Sequence, residues 1–166
     1  MIRRVPFGAD EKQTLQVALD RHRDVVLWKL EGLSDDQQRR VMTPSGTSLL
    51  GLVKHLAAVE YGWFSTTFGR AHEQLPFDEQ DEEADLRVEP CDTAADLVAF
   101  YGRAREASNL VVGELGLEDM GTSWFGARVS LRWVLVHMLE ETARHAGHMD
   151  ILRELLDGDV GSFPGD

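Results

Sequence analysis

Residues 130–157 (SLRWVLVHMLEETARHAGHMDILRELLD) are the stretch that decides the fold of this chain. We predict one long helix here, with Ser130 as its N-cap and Gly158 as its C-terminal stop. Side chains four residues apart differ by about 40° around a helix axis, so they share one face. Four side chains of the metal-ligand type lie on one such face: His137, Glu141, His145 and His148.

A further histidine lies in a second apolar stretch, residues 48–64 (SLLGLVKHLAAVEYGWF). His55 borders the apolar face of this predicted helix and is placed to pack against the histidine stripe. Glu141 and His145 can chelate one ion from a single helix, and a third ligand from another helix would complete the site. We therefore predict that His55, Glu141 and His145 bind a divalent metal between two helices. From residue chemistry alone, a hydrogen-bonded polar core is an equally good interpretation.

Two imidazoles and a carboxylate narrow the choice of metal ion but do not identify it. Three protein ligands leave a coordination position open, which is the catalytic arrangement for zinc. We expect zinc, but imidazole and carboxylate also suit nickel, iron, cobalt or manganese. His137 and His148 are candidates for orienting the ligands or carrying a proton, and no residue is assigned a catalytic role.

Composition excludes several classes of partner. The chain of 166 residues has a formal charge of −12, which disfavours binding to nucleic acid or to an anionic membrane. Cys91 is the only cysteine, so neither an internal disulfide nor a cysteine-based metal site can form. No run of about 18 apolar residues is present, and we expect a cytoplasmic protein with one domain over residues 1–166.

Apolar spacing predicts three more helices. The first follows Asp10 and ends near Gly32, the second runs from residue 48 to about 68, and the third follows Thr93 and ends at Gly116. Residues 116–129 form either an ordered loop or a short hairpin. Residues 69–92 lack helical periodicity and have the length of a crossover, which a four-helix bundle of this kind requires. The fold class is therefore all-α.

Two expectations concern acidic residues outside the stripe. Glu60 lies about 140° around the helix from His55, and we expect it to pair with an arginine and not with a metal. The run DEQDEEAD in the crossover is interpreted as a solvated acidic loop; this interpretation covers Asp81, Glu82, Glu83 and Asp85.

The two histidine-bearing segments, TSLLGLVKHLAAVEYGWF and RWVLVHMLEETARHAGHMDILRELLDG, resemble the DinB superfamily over nearly the whole chain. This superfamily of metal-binding four-helix bundles includes mycothiol-dependent maleylpyruvate isomerase and bacillithiol transferases. The resemblance implies metal ligands at His55, Glu141 and His145, with the glutamate similar to the isomerase branch. It also implies an up-down-down-up topology, in which the second and third helices run parallel. Related bundles often pair through helices, so a homodimer is compatible with the resemblance.

The resemblance implies a metal-dependent S-transferase that uses a low-molecular-weight thiol such as mycothiol and an electrophilic substrate. The isomerases carry an additional C-terminal domain that 166 residues do not include, so we do not expect isomerisation of maleylpyruvate. Two alternatives stay open. One is a metal-dependent hydrolase, and the other is a non-catalytic metal-binding or stress-response module, which a fourth ligand from His148 would favour.

Overall fold

The computed structural model describes residues 3–161 and contains four long helices, as the apolar spacing predicts. Their bounds are Glu11–Trp28 (α1), Leu49–Glu60 (α3), Ala94–Glu114 (α4) and Leu131–Asp157 (α5), with a short helix Asp35–Arg39 (α2) between the first two. Each long helix begins at a residue whose side chain accepts a hydrogen bond from the first turn, which satisfies one free N–H group there. These caps are Asp10, Ser48, Thr93 and Ser130. The single domain over residues 1–166 stays a prediction, and residues 1–2 and 162–166 lie outside the described range.

The second predicted helix is not α-helical to its end. After Glu60 the backbone continues as a π-helical turn, Tyr61–Thr66, before the chain leaves the helix. Tyr61 to Ser65 are all buried, so the apolar residues of this segment surround the axis and do not form one stripe. Such π turns are rare and are frequent at functional sites.

Contacts between helix ends give the direction of each helix. Lys54 of α3 pairs with Asp92 just before α4, and Arg70 beyond α3 pairs with Glu114 at the end of α4. The second and third long helices are therefore parallel. At the other interface, Glu11 pairs with Arg132 near the helix starts and Lys29 pairs with Asp150 near the ends, so α1 and α5 are parallel as well. This is the up-down-down-up bundle.

A small hairpin follows α4. Strands Met120–Thr122 (β1) and Arg128–Ser130 (β2) pair antiparallel, with Gly121 opposite Val129. The Thr122 N–H donates to the Thr67 carbonyl at 2.9 Å, which ties the hairpin to the end of the π turn. A Cβ on Gly121 would lie 2.5 Å from that carbonyl, so the close approach requires glycine. The hairpin therefore covers the end of the bundle where α5 begins.

The crossover between α3 and α4 is held against α3 by three neighbouring residues of that helix. A Cβ on Gly51 would lie 2.2 Å from the Leu86 carbonyl, so only glycine permits this approach of the two backbones. Lys54 Nζ donates to the Arg87 carbonyl at 2.7 Å and to Asp92 Oδ2 at 3.0 Å. The third residue, His55, contacts the crossover through the site described below.

Charged residues also tie helices together inside the bundle. Arg23 of α1 is fully buried and pairs with Glu60 of α3, as expected for a glutamate that is not a metal ligand. The same guanidinium donates to Asp20 at 2.8 Å and to Asn109 of α4 at 3.1 Å. Within residues 3–161, no helix combines the length and the apolar character that a membrane span needs.

Candidate metal centre

Three side chains from two helices converge at the α3–α5 interface. Glu141 Oε1 lies 3.2 Å from His55 Nε2 and 3.0 Å from His145 Nε2. One ligand atom from each residue lies within 4.8 Å of the others, and the side chains are half-buried. Two ligand atoms at about 2.1 Å from one ion lie roughly 3–4 Å apart, so a small inward movement suffices to coordinate a cation. We refer to His55, Glu141 and His145 as the triad.

Each triad histidine is held through its other ring nitrogen. His55 Nδ1 lies 2.6 Å from Asp85 Oδ2, and His145 Nδ1 lies 3.3 Å from His148 Nδ1. An ionised carboxylate can only accept hydrogen bonds, so in neutral His55 the proton is on Nδ1 and the Nε2 lone pair faces Glu141. Metal-binding histidines are oriented by outer hydrogen bonds of this kind. Both Nε2 atoms are thus directed at one point.

The charges around His55 favour a cation at this point. Burial acts to lower the pKa of His55, but hydrogen bonds with Asp85 and Glu141 outweigh it and raise the pKa to about 9. Hydrogen bonds with His145 and His55 hold the pKa of Glu141 far below its usual range. A neutral His55 would direct a lone pair at the ionised Glu141, which is repulsive. Either a proton on His55 or a metal ion removes this repulsion, and the donor set of two imidazoles and a carboxylate fits a divalent metal.

His148 is mainly exposed and contacts His145 from the side of the ring that faces away from the triad. Burial is the largest of several effects that lower the pKa of His148, and the neighbouring His145 is the next largest. A neutral His148 can accept the Nδ1 proton of His145 and so fix that ring. In this geometry His148 orients His145, which is one of the two roles that the sequence analysis gave it.

His137 lies one helical turn before Glu141, in contact with aromatic rings. Its ring stacks on Trp133 at 5.0 Å and meets Trp63 edge-on at 4.6 Å. Among the described residues, His137 forms no hydrogen bond with the triad. Its side chain instead lines the space onto which the triad opens.

That space is a cleft of about 650 Å³. His55 and Glu141 lie on its wall, so the triad is open to it, and Trp63, Trp124 and His137 continue the wall. Carboxylates from the crossover complete the lining: Asp78, Glu79, Glu82 and Asp85. A small molecule in this cleft would lie beside the triad.

The structure corrects one sequence-based expectation. Asp85 is not part of a solvated loop; it is buried, with 6% of its surface exposed, because it turns inward to His55. Glu82 and Glu83 are exposed as expected. Asp85 is the only acidic residue of the run with an apolar neighbour on each side, Ala84 and Leu86, and that pattern was the available signal.

Comparison with known proteins agrees with the fold and gives a family. The family described as "MST: Mycothiol-S-transferase" matches residues 14–158. The solved structure "Crystal structure of the conserved protein of locus from Enterococcus faecalis" is similar with a TM-score of 0.66 and 17% sequence identity. The alignment covers 92% of this chain and 100% of that chain, and at this identity it shows a shared fold alone. None of the curated proteins matches the chain.

Proposed function

The chain belongs to the mycothiol-S-transferase family, a DinB-like family, and from that membership we propose that it attaches mycothiol, through its sulfur, to a small electrophile. The proposed enzyme depends on a divalent metal, for which we expect zinc. The observation that carries the proposal is the convergence of His55 Nε2, His145 Nε2 and Glu141 Oε1 at the wall of an open cleft. A site of three ligands leaves room for a substrate atom.

The triad would hold the ion, and the outer contacts would fix the triad. Asp85 orients His55 from the crossover, and His148 orients His145 from the same helix. A divalent metal at this position supplies charge that lowers the pKa of a coordinating thiol, so that the sulfur is a thiolate near neutral pH. The half-buried position of the triad strengthens this effect, because water screens the charge less there.

The reaction itself needs a thiolate and an acceptor carbon in contact. The sulfur of mycothiol forms a bond to the carbon, and the leaving group departs with its electron pair. The thiol proton passes to solvent or to a base in the cleft. His137 is the described histidine that lines the cleft without contacting Glu141 or His55, and we propose it as that base.

Metal content tests the ligand set. Protein purified without a tag or a nickel column should contain about one metal per chain, and His55→Ala and Glu141→Ala should each lose it. Glu140→Ala is the matched control, because Glu140 is the adjacent exposed carboxylate on the same helix. A folded wild-type protein that takes up less than about a tenth of an equivalent of added zinc would contradict the metal site.

A thiol assay tests the transfer. The metal-loaded protein is mixed with mycothiol and a chloroketone, and the conjugate is quantified by mass spectrometry. Conjugate formation above the uncatalysed rate, lost in Glu141→Ala and retained in Glu140→Ala, is the expected result. Turnover of an ester or amide without any thiol would instead support a metal-dependent hydrolase. Metal uptake without either activity would support the non-catalytic alternative.

A further inference from the structure

One wall of the cleft is built from aromatic rings. Trp63, on the π turn, and Trp124, in the turn of the hairpin, both line the cleft, with ring centroids 4.6 Å apart. Trp63 is buried at 6% exposure, whereas Trp124 is 59% exposed. Trp63 also contacts His137, and Trp124 also contacts Phe125. The wall thus has a fixed inner ring and an outer ring with free surface, and we call Trp63 and Trp124 the tryptophan wall.

The tryptophan wall begins close to the triad. His137, which touches Trp63, lies four residues before Glu141, a rise of about 6 Å along α5. Val59, four residues after His55, lines the cleft between the triad and Trp63. A molecule of one or two rings that lies on the wall would therefore extend to the open face of the triad.

The crossover gives the cleft a negative rim. Asp78, Glu79 and Glu82 line it and are exposed, and no lysine or arginine is among the described lining residues. The whole chain also carries a formal charge of −12. A negatively charged group approaching the cleft from solvent would meet repulsion from this rim. Aromatic rings without charge would not.

We propose that the tryptophan wall binds the flat, uncharged aromatic part of the electrophile, with the reactive carbon directed at the triad. This inference rests on the proposed function, because it names the class of molecule that accepts the sulfur. For an aryl chloromethyl ketone, the sulfur–carbon bond forms and the carbon–chlorine bond breaks. Chloride leaves with the electron pair, and the thiol proton passes to solvent or to His137. The rim disfavours aromatic electrophiles that carry a carboxylate.

Binding of an unreactive analogue tests the wall without any turnover. Naphthyl methyl ketone is titrated into isotope-labelled protein, and the indole N–H signals of the four tryptophans are followed by NMR. The signals of Trp63 and Trp124 should shift. The signal of Trp28, at the far end of α1, should not. Shifts confined to Trp28, or no saturable shift at the solubility limit, would overturn the proposal.

Two variant pairs separate stacking from charge. Trp124→Ala should weaken binding of the ketone about tenfold. Phe7→Ala is its control, because Phe7 is an exposed aromatic residue that does not line the cleft. The same ketone with a carboxylate on its distal ring should bind at least about fivefold more weakly to the wild type. The double variant Glu79→Gln, Glu82→Gln should reduce this difference, and Glu154→Gln on distal α5 should not. If Trp124→Ala and its control have equal effects, stacking on Trp124 is contradicted. If the double variant and Glu154→Gln have equal effects, repulsion by the rim is contradicted.

A catalytic comparison then separates this proposal from the proposed function. With mycothiol as thiol, Trp124→Ala should lower the ratio of kcat/KM for phenacyl chloride over that for chloroacetamide about tenfold. An unchanged ratio in an active enzyme would overturn the tryptophan wall alone. If no electrophile is conjugated, the proposed transfer fails, and the NMR titration still decides whether the wall binds aromatic ketones.

Discussion

Asp85 is the residue on which the orientation of His55 depends. Its carboxylate accepts a hydrogen bond from the Nδ1–H of His55, with 2.6 Å between Nδ1 and Oδ2, and keeps the Nε2 lone pair on the side of Glu141. We predict that Asp85→Asn weakens zinc binding about tenfold or more, because the uncharged amide makes His55 less basic and less fixed. Competition with a chromogenic chelator measures the affinity. Glu83→Gln changes an exposed carboxylate of the same crossover that does not line the cleft, and it should leave the affinity unchanged. An equal loss in both variants would contradict the role of Asp85.

His55 also gives the metal-free protein a particular pH dependence. Its pKa is about 9 in the folded protein, compared with an ordinary value of 6.5, so protonation of His55 stabilises the fold. Because the folded pKa is the higher one, this stabilisation is complete below pH 6.5 and is lost as the pH rises to about 9. We expect the Tm of chelator-treated protein to fall across this interval. In His55→Gln the fall should be shallower, and parallel curves for the two proteins would contradict the assignment.

At the scale of single residues, prediction from sequence works where the information is local. Glu141 and His145 are four residues apart on one helix, so their common direction follows from helix geometry. Asp85 reaches His55 across 30 positions of sequence, through a loop without periodicity. Its apolar neighbours Ala84 and Leu86 indicate burial but do not show which residue it contacts. The same holds for Trp124, whose place beside the cleft depends on how the hairpin packs on the π turn.

Among the structural elements, the crossover makes a close backbone contact with α3 at Gly51. The Leu86 carbonyl lies where a Cβ of residue 51 would be, so Gly51→Ala must push the crossover away from α3. Since Asp85 is the preceding residue, we predict weaker metal binding together with a lower Tm. Both quantities are measured by metal titration and thermal unfolding.

Gly102→Ala is the control for this substitution. A Cβ on Gly102, in the middle of α4, meets no atom within 4 Å. This variant should keep the metal affinity and gain about 0.5–1 kcal/mol of stability, because alanine favours a helix more than glycine does. If Gly51→Ala binds metal as tightly as the wild type, the close approach does not position Asp85.

The ends of the helices were predictable and one helix interior was not. The helix starts at Asp10, Thr93 and Ser130 are confirmed, and Ser48 caps the second long helix. Serine, threonine and aspartate mark such starts because their side chains accept a hydrogen bond from a free N–H group of the first turn. The π turn was not predicted. Its residues Tyr61 to Ser65 are all buried, so no polar face marks the change from the α-helical period. For residues 116–129 the sequence left a loop and a hairpin open, and the structure contains the hairpin.

For the molecule as a whole, one buried ion pair links the helices. Arg23 and Glu60 are both fully buried, and removal of one partner leaves an uncompensated charge inside the bundle. We predict that Glu60→Ala costs about 3 kcal/mol or more in the free energy of unfolding. For a chain of this size, that lowers the Tm by roughly 10 °C. Thermal and urea unfolding measure the change.

An exposed ion pair provides the control for Glu60→Ala. Glu114 pairs with Arg70 on the surface, with both side chains about half exposed. Glu114→Gln should change the free energy of unfolding by less than about 1 kcal/mol, because water screens an exposed pair. A loss in Glu60→Ala as small as that in Glu114→Gln would mean that Asp20 and Asn109 satisfy Arg23 without Glu60.

The arrangement of the helices was predicted correctly from the family resemblance, and the length of one connection agrees with it. About 24 residues between α3 and α4 allow the chain to return along the bundle, so that these helices run parallel. The buried network around Arg23 joins α1, α3 and α4, and the sequence showed only that Glu60 would face an arginine. The homodimer compatible with related bundles stays a prediction, which light scattering of the purified protein tests.

The turn of the hairpin is closed by its own hydrogen bonds. The Ser123 N–H donates to the Ala127 carbonyl and the Gly126 N–H to the Ser123 carbonyl, each at 2.9 Å. Trp124 and Phe125 lie inside this closed turn, while the triad lies on rigid helices. A combinatorial library at these two positions would therefore vary what the cleft accepts without disturbing the residues of the triad. Directed evolution toward new acceptor molecules has its natural entry point there.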